Sequence, residues 1–98
     1  MELDLNKLEG FQWDNGNRWK NTQKHDVTNQ ESEEVFFNDP LLVSSDLKHS
    51  QNEDRLLALG TTHQGRFLFV SFTIRNNFIR IISARDMHRK ERDHYEKA

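Results

Sequence analysis

Three runs of strand-forming residues, RLLALGTTH, RFLFVSFTI and FIRIISAR, fill residues 55–63, 66–74 and 78–85 with almost nothing between them. Connections this short leave no room for a crossover, so consecutive runs must pair antiparallel with RFLFVSFTI in the middle. The turn chemistry agrees. HQGR supplies Gly65 for a backbone of positive φ, and RNN supplies asparagines, which tolerate left-handed geometry. By strand alternation Phe67 and Phe69 point to one side of the middle strand, and Leu68, Val70 and Phe72 to the other. Both faces therefore need cover, and helices are the elements left to give it. The expected fold class is α+β, with N-terminal helices packed on an antiparallel sheet and a basic C-terminal helix.

The first half supplies the covering elements. FQW alternates Phe11 and Trp13 around Gln12, as an edge strand does. Asp14 or Asn15 can cap a helix through about His25, with Trp19 as its inward anchor. TNQE fits the capping box, Thr28 capping and Glu31 reaching back. That helix should run to about Phe37 and stop at NDP, because Pro40 disfavours helical geometry at Asp39. LLVSS, residues 41–45, reads as one more short strand of the sheet, and DLKHSQNED as a polar loop. The 98 residues make one domain, set at 11–98 behind an N-terminal extension of residues 1–10.

Several chemistries lack their residues. With no cysteine there is neither a disulfide framework nor a thiolate metal site. His25, His49, His63, His88 and His94 form no i,i+4 pair and no HExxH pattern, so no metal or other cofactor is expected. A GxSxG elbow is missing. No apolar run approaches the roughly 20 residues that span a bilayer, and the N-terminus lacks the order of a signal peptide. The expectation is a cytoplasmic protein with no membrane partner.

Charge is the informative feature. Residues 1–54 hold 5 Lys and Arg against 12 Asp and Glu, whereas residues 55–98 hold 9 against 4. One reading is that the halves neutralise each other across the fold; the other is that the second half offers a basic face to a polyanion. Alternation places Arg80 and Arg85 on opposite sides of the last strand. RDMHRKERDHY reads as a helix on which Arg85, Arg89 and Arg92, at spacings of four and three, share a face, with Asp86 set to pair with Lys90. Stacked arginines suit phosphate, which guanidinium forks hold bidentately. RNA cleavage needs only such charge and a proton carrier, because the 2′-hydroxyl brings the nucleophile. Lys24, His25, Arg66, Arg85, Arg89 and Tyr95 are the right residue types for it.

FQWD, Asn21 with Lys24 and His25, VFFNDP, LALG, the GR of Gly65–Arg66, RIISAR and RKERDHY occur in an order that resembles the BrnT-type toxins, RelE-like ribonucleases of type II toxin–antitoxin systems. The resemblance spans about residues 11–98. It implies a RelE-like fold and a metal-independent endoribonuclease that cleaves RNA through 2′-hydroxyl attack and arrests translation. It also implies a BrnA-like ribbon-helix-helix antitoxin, through which alone the complex would touch DNA. Carried over by position, the catalytic group is Lys24, His25, Arg66, Arg85 and Tyr95, with Arg80, Arg89 and Arg92 as RNA-binding residues. Where that family has a glycine after the histidine, this chain has Asp26. The competing reading is a non-catalytic or degenerate module that binds an antitoxin-like partner or nucleic acid through its basic C-terminal face.

Overall fold

The structure, a computed structural model, describes residues 5–13, 25–49 and 54–98. The expected meander forms from strands β3 (Leu56–Thr61), β4 (Phe67–Arg75) and β5 (Phe78–Asp86). Gly65 turns the first hairpin at φ +87°, and Asn76 and Asn77 turn the second at +54° and +68°, the left-handed pair that matches strand twist in tight hairpins. Strand β2 (Leu42–Ser45) adds antiparallel to β3. The wholly antiparallel expectation needs one correction. Strand β1 (Gly10–Gln12) lies on the outer edge of β5 and runs parallel to it, so the sheet is mixed, in the order β1-β5-β4-β3-β2. No tight turn links β1 to its partner, so nothing local forces antiparallel pairing. Residues just before it belong to the fold as well, since Leu8 packs against the core and the Glu9 N–H donates to Asn77 O at 2.7 Å.

Helix α1 (Asn29–Glu34) starts as the capping box requires: Glu31 N–H donates to Thr28 Oγ1 at 3.1 Å, and Thr28 N–H to Glu31 Oε1 at 3.0 Å. It tightens into a 3₁₀ turn, Val35–Phe37, ahead of Pro40. Val27, Val35 and Phe36 from this region meet Leu56, Ala58, Leu68, Val70, Phe72, Ile79, Ile81 and Ala84 of the sheet in a single core. Phe36 packs edge-on to Phe72 at 5.0 Å and to Phe11 at 5.6 Å. Burying each such side chain stabilises the fold by about 1.5–3 kcal/mol. At Gly60 the backbone approaches this layer closely, because a Cβ there would sit 2.9 Å from Val35 Cβ. The helix expected from Asp14 or Asn15 lies outside the described residues except for its last one, His25.

A bulge overturns the expected sides of the two arginines. Phe69 pairs with Arg85 and Thr73 with Arg80, but the register slips between Ser71 and Phe72, leaving Ile82 as an extra residue in β5. An extra residue reverses the alternation beyond it, so Arg80 and Arg85 share one face, the face away from α1. A second correction concerns the last helix. Helix α2 is Arg89–Glu96, so Arg85 lies in β5 and cannot belong to a helical stripe with Arg89 and Arg92. Asp86 is in β5 too and bonds to Arg66, not Lys90. Helix α2 covers the Phe67 end of the second face, where Tyr95 packs edge-on to Phe67 at 5.7 Å. Among the described residues no helix is long and apolar enough to cross a membrane.

Candidate functional site

Arg66 leaves the first hairpin on the α1 side and spends every N–H it has. Nε donates to Asp86 Oδ1 at 2.7 Å and Nη2 to Asp86 Oδ2 at 3.1 Å, a bidentate fork. Nη2 also reaches His25 O at 3.3 Å, while Nη1 reaches Asp26 O at 2.8 Å and Glu31 Oε2 at 3.2 Å. One guanidinium thus ties the His25–Asp26 corner, the start of α1 and the end of β5 together. Asp26 keeps the corner turned at φ +54°, a conformation that aspartate tolerates better than most residues. His25 itself is exposed.

The electrostatics follow from this hub. Hydrogen bonding to Arg66 is the main reason the Asp86 carboxyl titrates below its usual range; burial opposes it, and the charges of Arg66 and His25 assist. Burial acts most strongly on Glu31, pushing its carboxyl up, but hydrogen bonds from the Thr28 backbone and Arg66 outweigh that and leave it lowered. Arg66 in turn is held more firmly protonated, first through its hydrogen bond to Asp86.

Arg85 is engaged on the opposite face. Its Nη1 and Nη2 donate to Glu91 Oε1 and Oε2 at 2.8 and 3.0 Å, and the guanidinium lies 4.0 Å from the centre of the Phe69 ring. Glu91 also accepts the His88 N–H at 2.8 Å, which caps α2. The Arg85 hydrogen bond is the chief cause of its lowered carboxyl, ahead of the opposing burial. Arg92 sits 4.4 Å over Phe67 and pairs with Glu96 at 2.9 Å. Tyr95 is buried, its hydroxyl donating to Pro40 O at 2.6 Å.

The residues singled out in the sequence therefore fall into two groups. His25 and Arg66 meet on the α1 side, whereas Arg80, Arg85, Arg92 and Tyr95 lie on the α2 side. Arg89 is exposed at the start of α2 and forms no ion pair among the described residues; Lys24 lies outside them. Asp86, Glu31 and Glu91 escaped sequence reasoning as site residues. Glu31 carries a signal as a cap, but its second partner is remote in sequence, and the i,i+4 spacing points Asp86 to Lys90 whereas the fold gives it Arg66. With this geometry in place, the comparison with known families is specific. The family model described as the ribonuclease toxin BrnT of type II toxin–antitoxin systems matches residues 13–91. No curated protein matches the chain.

Proposed function

Since the chain belongs to the BrnT family of ribonuclease toxins from type II toxin–antitoxin systems, we propose that it is a metal-independent endoribonuclease whose proton carrier is His25. The observation that carries this reading is the Arg66 hub, which pins the backbone carbonyl of an exposed histidine whose charge acts on the Asp86 carboxylate. A general acid or base must be held in place and still reach substrate; the anchored backbone and exposed position of His25 support that role. The 2′-hydroxyl loses its proton and attacks the adjacent phosphorus, the bond to the 5′-oxygen breaks, and that oxygen gains a proton. A 2′,3′-cyclic phosphate and a free 5′-hydroxyl result. Lys24, next to His25 in sequence, and Arg89 would carry charge for the phosphate. Arg85, with its fork on Glu91, and Tyr95, with its hydroxyl on Pro40, serve this reading as the frame that sets β5 and α2.

The family implies an antitoxin partner. We take it to be a BrnA-like ribbon-helix-helix protein that neutralises the toxin and supplies the only contact with DNA, and the setting to be the cytoplasm, where cleavage arrests translation. The occupied forks of Arg66 and Arg85, with Arg92 paired to Glu96, favour a second reading, a binding module without catalysis. Inducing the protein without a partner and mapping RNA ends separates the two. The toxin should stop growth and leave 2′,3′-cyclic phosphate ends in the presence of EDTA, and His25→Ala should reduce cleavage by about 10²-fold or more with the fold intact. Growth arrest without new RNA ends, or cleavage that EDTA abolishes and a divalent ion restores, would overturn the proposal.

A further inference from the structure

The three carboxylates that hold Arg66 and Arg85 are not equally fixed. Glu31 is 28% exposed where it meets Arg66, and Glu91 is 24% exposed on Arg85. Both also accept backbone N–H groups, from Thr28 and His88, so each is built into a helix start. Asp86 is different. Its side chain is 63% exposed on an Arg66 that is only 28% exposed, and Arg66 is the only hydrogen-bond partner its carboxylate has among the described residues. The two N–H groups it occupies, Nε and one on Nη2, form the fork that binds the paired oxygens of a phosphate. The remaining donors of Arg66 are held separately, by Glu31, Asp26 O and His25 O.

We propose that Asp86 is a displaceable latch, a carboxylate that stands in for substrate phosphate on the Arg66 fork and must swing out before RNA can engage it. This deepens the ribonuclease reading and rests on it for the identity of the substrate. The latch restrains the free chain by competition. An anion arriving at the fork gains two charge-assisted hydrogen bonds only by breaking the two made by Asp86, while Arg66 remains aimed by its inner contacts. An exposed ion pair is weak enough for that exchange, whereas the Glu91–Arg85 pair, more covered and tied to a helix cap, stays closed.

The test replaces Asp86 with asparagine and compares Asp93→Asn, which removes the same charge from an exposed position on α2. Inorganic phosphate, titrated while the Arg66 Nε–H resonance is followed by NMR, reports on the fork without any RNA chemistry. Asp86→Asn should lower the phosphate concentration needed to shift that resonance about 5-fold, with Asp93→Asn close to wild type. A 2′-O-methyl RNA oligonucleotide, which cannot be cleaved, should bind Asp86→Asn tighter by a similar factor at fixed salt. Equal phosphate response in wild type and Asp86→Asn, or equal tightening by both substitutions, would overturn the latch. A latch seen with phosphate in a protein that cleaves no RNA would instead overturn the ribonuclease reading and leave the latch standing.

Discussion

Tyr95 offers the sharpest test of the structure against the family resemblance, which gives it a catalytic role. Its side chain is 4% exposed, the most buried position on α2, and its hydroxyl donates to Pro40 O at 2.6 Å. Tyr95→Phe removes that one hydrogen bond and keeps the ring on Phe67. Pro40 lies at the surface, so water can replace the donor, and the cost should be about 0.5–1.5 kcal/mol. Tyr95→Ala also removes the ring, which raises the loss to about 3–5 kcal/mol of the roughly 5–15 kcal/mol that holds a small domain. Urea unfolding measures both, read through tryptophan fluorescence, to which Trp13 contributes with its indole N–H donating to Glu33 Oε2 at 2.8 Å. Cleavage is then compared at a temperature where wild type and Tyr95→Phe are both folded. If the hydroxyl is structural, Tyr95→Phe should cleave RNA within about 3-fold of wild type, far short of the 10²-fold or more expected on losing a general acid or base. A variant of nearly native stability that had lost about 10²-fold in rate would refute the structural role and restore the hydroxyl to the chemistry.

Other outcomes follow from the same contacts. Arg66→Lys keeps the charge but cannot reach Asp86, Glu31 and two carbonyls together; it should cost about 1–3 kcal/mol in urea unfolding and lower cleavage at least about 10-fold by releasing His25. Glu31, Asp86 and Glu91 all titrate lower in the folded chain, so their stabilisation is complete above the ordinary carboxylate range, about pH 4 to 4.5, and is lost as pH falls through the lowered values. The urea midpoint should therefore fall between pH 5 and pH 3, by our reading of the ordinary range, and Glu31→Gln should flatten that fall; a midpoint constant across it would contradict the assignment. Arg85→Ala, which strips Glu91 and Phe69 of their partner, should cost about 1–3 kcal/mol, whereas Lys90→Ala should stay within about 0.5 kcal/mol of wild type.

What could be read from the residues was what short-range chemistry decides. Gly65 and the Asn76–Asn77 pair fix two turns, Thr28 with Glu31 fixes a helix start, and Pro40 marks a stop, because each acts over a few residues. Errors arose where a distant partner decides. The extra residue at Ile82 leaves no mark in an apolar run, yet it moves Arg80 to the side of Arg85. The helical pattern over RDMHR is real, but Arg85 and Asp86 complete pairing with Phe69 and Leu68 and remain in the strand. Arg66 was legible as a phosphate-binding residue type, and its acceptors were not, since Glu31 and Asp86 come to it only through the tertiary fold.

The charge asymmetry then acquires a spatial meaning. Glu31 from the acidic half reaches Arg66 in the basic half, while Asp86, Glu91 and Glu96 neutralise arginines within the basic half itself. Arg89, Lys90 and Lys97, at the two ends of α2, are exposed and form no ion pair among the described residues. Long-range attraction of RNA should accordingly come from α2, and the chemical step from the His25 corner. Attraction of that kind depends on released counterions and weakens with salt, whereas proton transfer at a bound phosphate does not. Substitutions at Arg89 should therefore act on affinity and its salt dependence, and substitutions at His25 on the rate for bound RNA. If the proposed reading holds, a partner that covers α2 should weaken RNA binding without touching His25.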